Sequence, residues 1–360
     1  MRNICYKKLF LKIIFFKILS VLFFFNIFLI LKNNYHKKKV GVIGLEHSIN
    51  IGNNLLKYAM FIELSNLGYD PYIVGMKIPG HNISFIQNTT KVILINSSFS
   101  EIKQHDFYIL MVNSDQTWRK WPVNNYKYFY DIAFLNFAEK WNIPKFVYGA
   151  SLGNNNWEKF NKDDEKIAKM LLKNFTGISV REKGSINLIE NILGIRPNFV
   201  LDPTLLIDKK YYLNLIKNYK GIISSNNDYI FFYNINNLYN VTKLINKIKE
   251  EKKYKIYCTK YNIKDFIYGI YYSKGVITDS FHGTVFSIIF QKPFITLINV
   301  KGGEERFNSL KDIFNIENRI YDIKSEPDIS LLEEPLILKL NLFNKLKKQS
   351  IWFIKKNLES

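Results

Sequence analysis

An α/β fold with parallel sheets is what this chain predicts, on three observations. Beyond Lys38, short runs of β-branched and aromatic residues alternate with stretches of helical period. Polar turns rich in Asn, Ser, Asp and Gly follow several of those runs, on the side where open α/β sheets bind ligands. A length of 360 residues, 47% hydrophobic, is enough for two domains of ordinary size with full cores.

The elements follow in order. Leu9 to Leu31 is almost wholly apolar and long enough to cross a bilayer, so residues 1–37 read as an N-terminal hydrophobic membrane-anchor helix. Lys12 and Lys17 shorten the clean run to Ile18 through Leu31, which contains Asn26, and leave a snorkelling or interfacial helix open. Both flanks are basic, so the orientation stays open, and no small-residue cleavage site follows. Val40 to Ile43 is a short buried strand, and the helix after Gly52 carries Leu55, Ala59 and Ile62 on one face before Gly68 ends it. Tyr72 to Val74, Phe107 to Val112, Phe146 to Tyr148, Ile178 to Val180 and Phe199 to Leu201 continue the strands, with helices near Asp163 to Lys173 and Gly184 to Ile192. A second set holds strands Tyr229 to Tyr233, Tyr254 to Cys258, Val276 to Ile277 and Phe294 to Ile298, with a helix over Val241 to Lys252. The expected organisation is an anchor over 1–37, an N-terminal domain over 38–205, a C-terminal domain over 206–330 and a helical segment over 331–360, the boundary falling between Pro203 and Lys220.

The most informative stretch runs from Thr278 to Ile295: strand, tight turn, helix. Asp279 and Ser280 are good N-cap residues and Pro293 closes the element, so His282 and Gly283 fall in the first turn. Free N–H groups and the positive end of the helix dipole there favour an anion. A histidine at that point binds an anion when protonated and passes on a proton, and Gly283 lets a ligand approach the backbone. The plain alternative is a βα turn with a solvated histidine.

Net charge is +20, which fits nucleic acid, a membrane surface or an acidic substrate. The lysines are scattered, with no dense basic stripe interleaved with aromatics and no recognisable nucleic-acid module, so nucleic acid is set aside. Only six arginines occur, Arg2, Arg119, Arg181, Arg196, Arg306 and Arg319, so each is more readily kept for its bidentate fork. Cys5 and Cys258 are far apart, with no metal-ligand spacing, and the chain reads as reduced and cytosolic.

Six segments in order, Asn50 to Ala59, Ser114-Asp115-Gln116-Thr117-Trp118, Tyr148 to Gly153, Ser179 to Glu182, Asp202 to Leu206 and Ser280 to Gly283, resemble the polysaccharide pyruvyl transferase family. The likeness runs from about Lys38 to the C-terminal helix near Leu358. Asn113 departs from it, standing where the family usually has Gly; a positive φ there would be tolerated by Asn. The resemblance implies two Rossmann-like domains facing one another across a cleft, as in GT-B glycosyltransferases. It also implies transfer of the enolpyruvyl carbons of phosphoenolpyruvate onto two hydroxyls of a sugar, giving a cyclic ketal and free phosphate.

That chemistry needs a proton for the methylene carbon, cations for a phosphate and a carboxylate, and a base for the attacking hydroxyl. His282 is the expected proton donor. Arg181 is expected to clamp the donor, with Arg306 as a second candidate. Gly52, Asn53, Ser114, Asp115, Gln116, Ser151, Ser280, Gly283 and Thr284 are the expected substrate contacts. For several a structural role stands beside this: Gly52-Asn53 or Asp115 as helix caps, Tyr148 and Trp118 as core, Glu182 as neutraliser of Arg181. No metal or cofactor is expected, since no DxD-like carboxylate cluster is present. The expected partners are phosphoenolpyruvate, a sugar of a surface polysaccharide or its lipid-linked precursor, and a membrane, with the catalytic domains cytoplasmic. The rival readings are a nucleotide-sugar glycosyltransferase of GT-B type and a non-catalytic component of a glycan-assembly complex.

Overall fold

The computed structural model describes residues 37–45, 50–77, 83–119, 126–153, 160–221, 228–235, 241–259, 262–298 and 304–360. Lys39–Ser360 forms one compact unit. The expected anchor helix over Leu9 to Leu31 lies outside the described residues. Among the described residues no helix is long and apolar enough to cross a membrane.

The α/β prediction holds, with two parallel sheets. The first contains β1 (Lys39–Ile43), β2 (Asp70–Met76), β3 (Val92–Ile95), β4 (Ile109–Val112), β5 (Lys145–Ala150), β6 (Gly177–Val180) and β7 (Asn198–Phe199), in the order β3-β2-β1-β4-β5-β6-β7. The second contains β8 (Tyr229–Tyr233), β9 (Lys255–Cys258), β10 (Gly275–Thr278), β11 (Phe294–Ile298) and β12 (Ile320–Asp322), in the order β12-β11-β10-β8-β9. Every pairing is parallel. The central strands are buried throughout, as Ile109 to Val112 and Lys145 to Ala150 are, because helices cover both faces and leave no polar side to alternate with.

In each sheet the strand order reverses once. The reversal lies between β1 and β4 in the first sheet and between β8 and β10 in the second. A crevice opens at such a point because the connections on either side leave in opposite directions. Three helices carry residues of the candidate site: α1 (Ile51–Asn66) after β1, α2 (Phe281–Ile289) after β10, and α3 (Glu304–Phe314) after β11.

Two edge strands, β3 and β12, were not anticipated; both are short, and Ile320–Asp322 has too few residues to show a period. The run Phe199 to Leu201 yields only a two-residue strand. The reason is that Leu201 N–H leaves the ladder and donates to Ser350 Oγ at 2.9 Å. Ser350 belongs to α4 (Leu340–Leu358), the C-terminal helix, which packs on the first sheet. Phe353 meets Phe146 and Tyr148 with ring centroids at 6.3 Å, and Thr176 Oγ1 donates to Asn357 Oδ1 at 2.8 Å. Tyr69 adds a hydroxyl bond to Leu358 O at 3.1 Å.

Candidate active site

Both reversals are built the same way: a strand end, a polar turn, and a helix starting over the crevice. In the first sheet Asn50 caps α1, its side chain accepting from Asn53 N–H at 3.1 Å. Gly52 and Asn53 are therefore first-turn residues and not the cap. Asn53 Nδ2 reaches across the reversal and donates to Asp115 Oδ2 at 2.9 Å.

Asp115 does not cap a helix. It occupies a turn with φ of 117°, an unfavourable conformation for a residue with a Cβ. Its neighbours hold it there: Ser151 N–H donates to its carbonyl and Gln116 N–H to its Oδ1, both at 2.9 Å. The positive φ expected at Asn113 falls instead two residues later. Ser114 turns inward, its Oγ donating to Gly149 O at 2.7 Å. Gln116 accepts from Arg119 NH1 at 2.8 Å, and Ser151 Oγ accepts from Gly153 N–H at 3.1 Å.

Arg181, at the end of β6, is the centre of this half. One nitrogen donates to Asp202 Oδ2 at 2.7 Å and lies 3.4 Å from Ser114 Oγ. The other terminal nitrogen meets Asp115 Oδ1 at 3.3 Å, and Nε meets Glu182 Oε1 at 3.4 Å. Burial opposes its charge, but Asp202, Asp115 and Glu182 outweigh it and raise its pKa. Asp115 is likewise pushed up by burial and brought below the usual carboxylate range mainly by Arg181 and the Asn53 hydrogen bond. Asp202 is fixed in turn by Thr204, whose N–H and hydroxyl donate to Oδ1 at 3.0 and 2.6 Å. The expected direct clamp on a donor is thus not what Arg181 offers here: its side chain is 1% exposed and its fork is occupied by carboxylates.

The second sheet contributes His282. Ser280 holds the N-cap position of α2, but its side chain makes no cap bond. Its N–H donates to Thr278 Oγ1 at 3.0 Å, while Asp279 accepts from Ile235 N–H at 2.7 Å and ties β10 to β8. His282 is 9% exposed, so it is a buried residue at the crevice and not a solvated one. Its Nε2 lies 3.9 Å from Asp202 Oδ2. The ring fills the space beside Gly52, where a Cβ would overlap Nδ1. Burial, with Asp202 pulling the other way and Arg181 adding to it, lowers its pKa to about 4. At neutral pH the imidazole is uncharged, so anion binding by an already protonated His282 is corrected.

Two expected contacts take structural roles. A Cβ on Gly283 would strike Thr278, so that glycine serves helix-on-strand packing and not approach by a ligand. Thr284 is fully buried and its hydroxyl lies 2.7 Å from Thr296 Oγ1 on β11, on the sheet side of the helix.

Arg306 on α3 completes the cluster. Both arginines lie against Phe281, with Arg181 Cζ 5.1 Å and Arg306 Cζ 5.8 Å from its ring centroid. Arg306 is in no ion pair among the described residues, and its Nε is buried without a hydrogen bond. Burial first, then Arg181, lowers its pKa. Glu182 is pushed up by burial in spite of Arg181, and its Oε2 is also unpartnered.

These belong to a set. Among the described residues the buried polar atoms lacking a partner include Asn53 Oδ1, Asn113 Oδ1, Glu182 Oε2, Asn234 Oδ1, His282 Nε2 and Arg306 Nε. All six follow the carboxyl ends of strands. Orphaned buried polar atoms are costly and rare, so their concentration beyond the carboxyl ends of the strands of both sheets marks a ligand site. Asn113, Glu182, Asp202 and Asn234 were not singled out as contacts. For Asn234 the available signal was its place directly after Tyr229–Tyr233. Among the described residues no group of three or more His, Cys, Asp or Glu side chains is placed to hold a metal ion.

Structural relatives share this architecture. UDP-GlcNAc 2-epimerase from Neisseria meningitidis bound to UDP-GlcNAc superposes with a TM-score of 0.53 at 11% identity, over 90% of this chain and 100% of that one. The Methanocaldococcus jannaschii UDP-GlcNAc 2-epimerase in complex with UDP-GlcNAc and UDP gives 0.51 at 13%, over 88% and 99%. Arabidopsis thaliana UGT89C1 complexed with UDP-L-rhamnose gives 0.50 at 9%, over 90% and 98%. At such identities the likeness is one of fold, and it is GT-B-like. No curated protein sequence matches the chain. The family model described as polysaccharide pyruvyl transferase matches residues 50–301, taking in the first-turn residues of α1, Asp115, Arg181, Asp202 and His282, and the chain belongs to that family of transferases.

Proposed function

We propose that this transferase takes phosphoenolpyruvate as donor and forms a pyruvyl ketal on a sugar of a surface polysaccharide or of its lipid-linked precursor. The observation that carries the reading is the unpaired, buried polar set around His282, Glu182 and Arg306. A small, dense anion suits a half-buried cation whose Nε is buried and unclaimed.

Arg306 binds the donor's phosphate or carboxylate, and Arg181 holds the three carboxylates that shape the pocket. The first sugar hydroxyl attacks the enol carbon and its proton ends on the methylene. The second hydroxyl displaces phosphate, and its proton leaves with the phosphate. Atoms and charge then balance with no further reactant. An uncharged His282 accepts the hydroxyl proton and hands it on to the methylene, so the step needs no second acid.

The test incubates the full chain with phosphoenolpyruvate and a panel of lipid-linked and free sugars and measures phosphate. His282→Gln is expected to lower turnover by a factor on the order of 10² to 10⁴. Near-normal turnover in that variant removes His282 from proton transfer. Release of a nucleotide from a sugar nucleotide, without phosphate from phosphoenolpyruvate, assigns the site to a glycosyltransferase.

A further inference from the structure

The C-terminal helix α4 has two unlike faces. Leu346, Ser350, Phe353, Ile354, Asn357 and Leu358 are buried against the rest of the unit. The opposite face carries Lys345, Lys348, Trp352, Lys355 and Lys356, all exposed. The four lysines stand three, four or seven residues from Trp352 and so share its side of the helix. Trp352 is 59% exposed, with Lys356 Nζ 5.3 Å from its ring centroid. Exposed apolar residues continue just before and at the start of the helix: Ile337 is 85% exposed, Leu340 and Leu342 39% each. The face carries no carboxylate before Glu359.

A second observation places the carboxyl end of the helix, which carries Lys355 and Lys356, while Ser350, bonded to Leu201 beyond the carboxyl end of β7, lies toward the opposite edge of the sheet. Tyr69, whose hydroxyl reaches Leu358 O, immediately precedes Asp70, the first residue of β2. Asp70 pairs in register with Lys39, where the chain enters β1. The helix end and the point of entry of the N-terminal sequence therefore share the amino-terminal edge of the first sheet. The candidate site stands at the carboxyl-terminal edge. Lys37, Lys38 and Lys39 are exposed at that entry, just after the apolar sequence Leu9 to Leu31.

We propose that the exposed face of α4 is a docking surface for an anionic lipid bilayer. Trp352 enters the headgroup region, and Lys345, Lys348, Lys355 and Lys356 meet lipid phosphates. An exposed tryptophan ringed by lysines matches the interfacial zone, where an aromatic ring has one side apolar and the other wet. A basic residue near an anionic surface gains about 1 kcal/mol. Four together with a tryptophan supply the second anchoring signal that a single reversible anchor needs. The surface is independent of the donor reading.

The test uses the full chain with vesicles of phosphatidylcholine alone or mixed with phosphatidylglycerol, each carrying lipids brominated near the headgroup. Wild type is expected to lose tryptophan emission on the mixed vesicles by an amount absent in Trp352→Phe. The loss should vanish in the variant with Lys345, Lys348, Lys355 and Lys356 all changed to Glu, and weaken as salt is raised. Equal quenching in wild type and Trp352→Phe overturns the proposal, because the face then points away from the lipid. Equal quenching on both vesicle types overturns the charge-based docking. A blue shift of Trp352 that grows with protein concentration in the absence of lipid assigns the face to a second copy of the chain and also overturns it.

Discussion

Arg181 and Arg306 face the same aromatic ring from different parts of the fold, and their surroundings differ in kind. Arg181 is bonded to Asp202, Asp115 and Glu182 and gains charge stability from them. Arg306 is half-buried, with its Nε buried and unbonded, and burial weakens its hold on its proton. A saturated arginine organises; an unsaturated one is left over for something that arrives later. The difference separates a residue that shapes the site from one that recognises a ligand, though both have the same side chain.

The widest gap should open in stability. Arg181→Met leaves the buried carboxylates of Asp202 and Glu182 and the half-buried one of Asp115 uncompensated and is expected to cost about 3–5 kcal/mol, read from the urea midpoint. Arg306→Met removes a half-buried charge that is in no ion pair among the described residues and should be neutral or stabilising in the same measurement. Equal losses in the two variants would erase the distinction.

A titration sharpens it next. His282 has a folded pKa of about 4 against 6.5 for a free imidazole. Between those values the unfolded chain binds a proton that the folded chain does not. Stability therefore falls as pH is lowered from about 6.5 to about 4, by about 3 kcal/mol for that one group. Thermal melts across this range should show the slope in wild type and a shallower one in His282→Gln; identical slopes would mean that His282 titrates normally.

Recognition is the third contrast. Arg306→Gln should raise the Michaelis constant for phosphoenolpyruvate about 10- to 100-fold, the worth of a charged hydrogen bond, with the melting temperature unchanged. An unaltered constant would return Arg306 to the role of a half-buried spectator.

The smallest effect concerns the seam between the sheets. Gly52→Ala puts a methyl group into His282 Nδ1 and forces the ring aside. A stability loss of about 1 kcal/mol with a clear fall in turnover is expected. A fully active variant would show that the ring has room to move.

Much of the scaffold was legible before the structure. Tyr229 to Tyr233 and Phe294 to Ile298 occupy the anticipated strands because β-branched and aromatic runs bounded by turns leave little choice. The helix over Val241–Lys252 is also where its period put it. The first-turn position of His282 followed from local capping rules, which need only neighbouring residues. What those rules could not give is who meets whom across the chain. The partners of Arg181 come from three different turns, and only their assembly shows that its fork is full. Gly283 looked like a gap for a ligand because its neighbour Thr278 lies on another element and fills that gap first. Asp115, not Asn113, takes the positive φ, since the cost is met by bonds from Ser151 and Asn53 that no local pattern announces.

The C-terminal helix carries a consequence for synthesis. Leu201 N–H, Tyr69 hydroxyl and Thr176 hydroxyl each bond to residues between Ser350 and Leu358. The first sheet leaves the ribosome early, yet these groups and the faces of Phe146 and Tyr148 wait for the last helix to emerge. Chains emerge at about 5–20 residues per second, so the half-covered first sheet stands open for roughly 8–30 seconds, with apolar surface available to chaperones or to aggregation. A chain cut short before Ser350 would therefore leave a first sheet that was made in full and never covered.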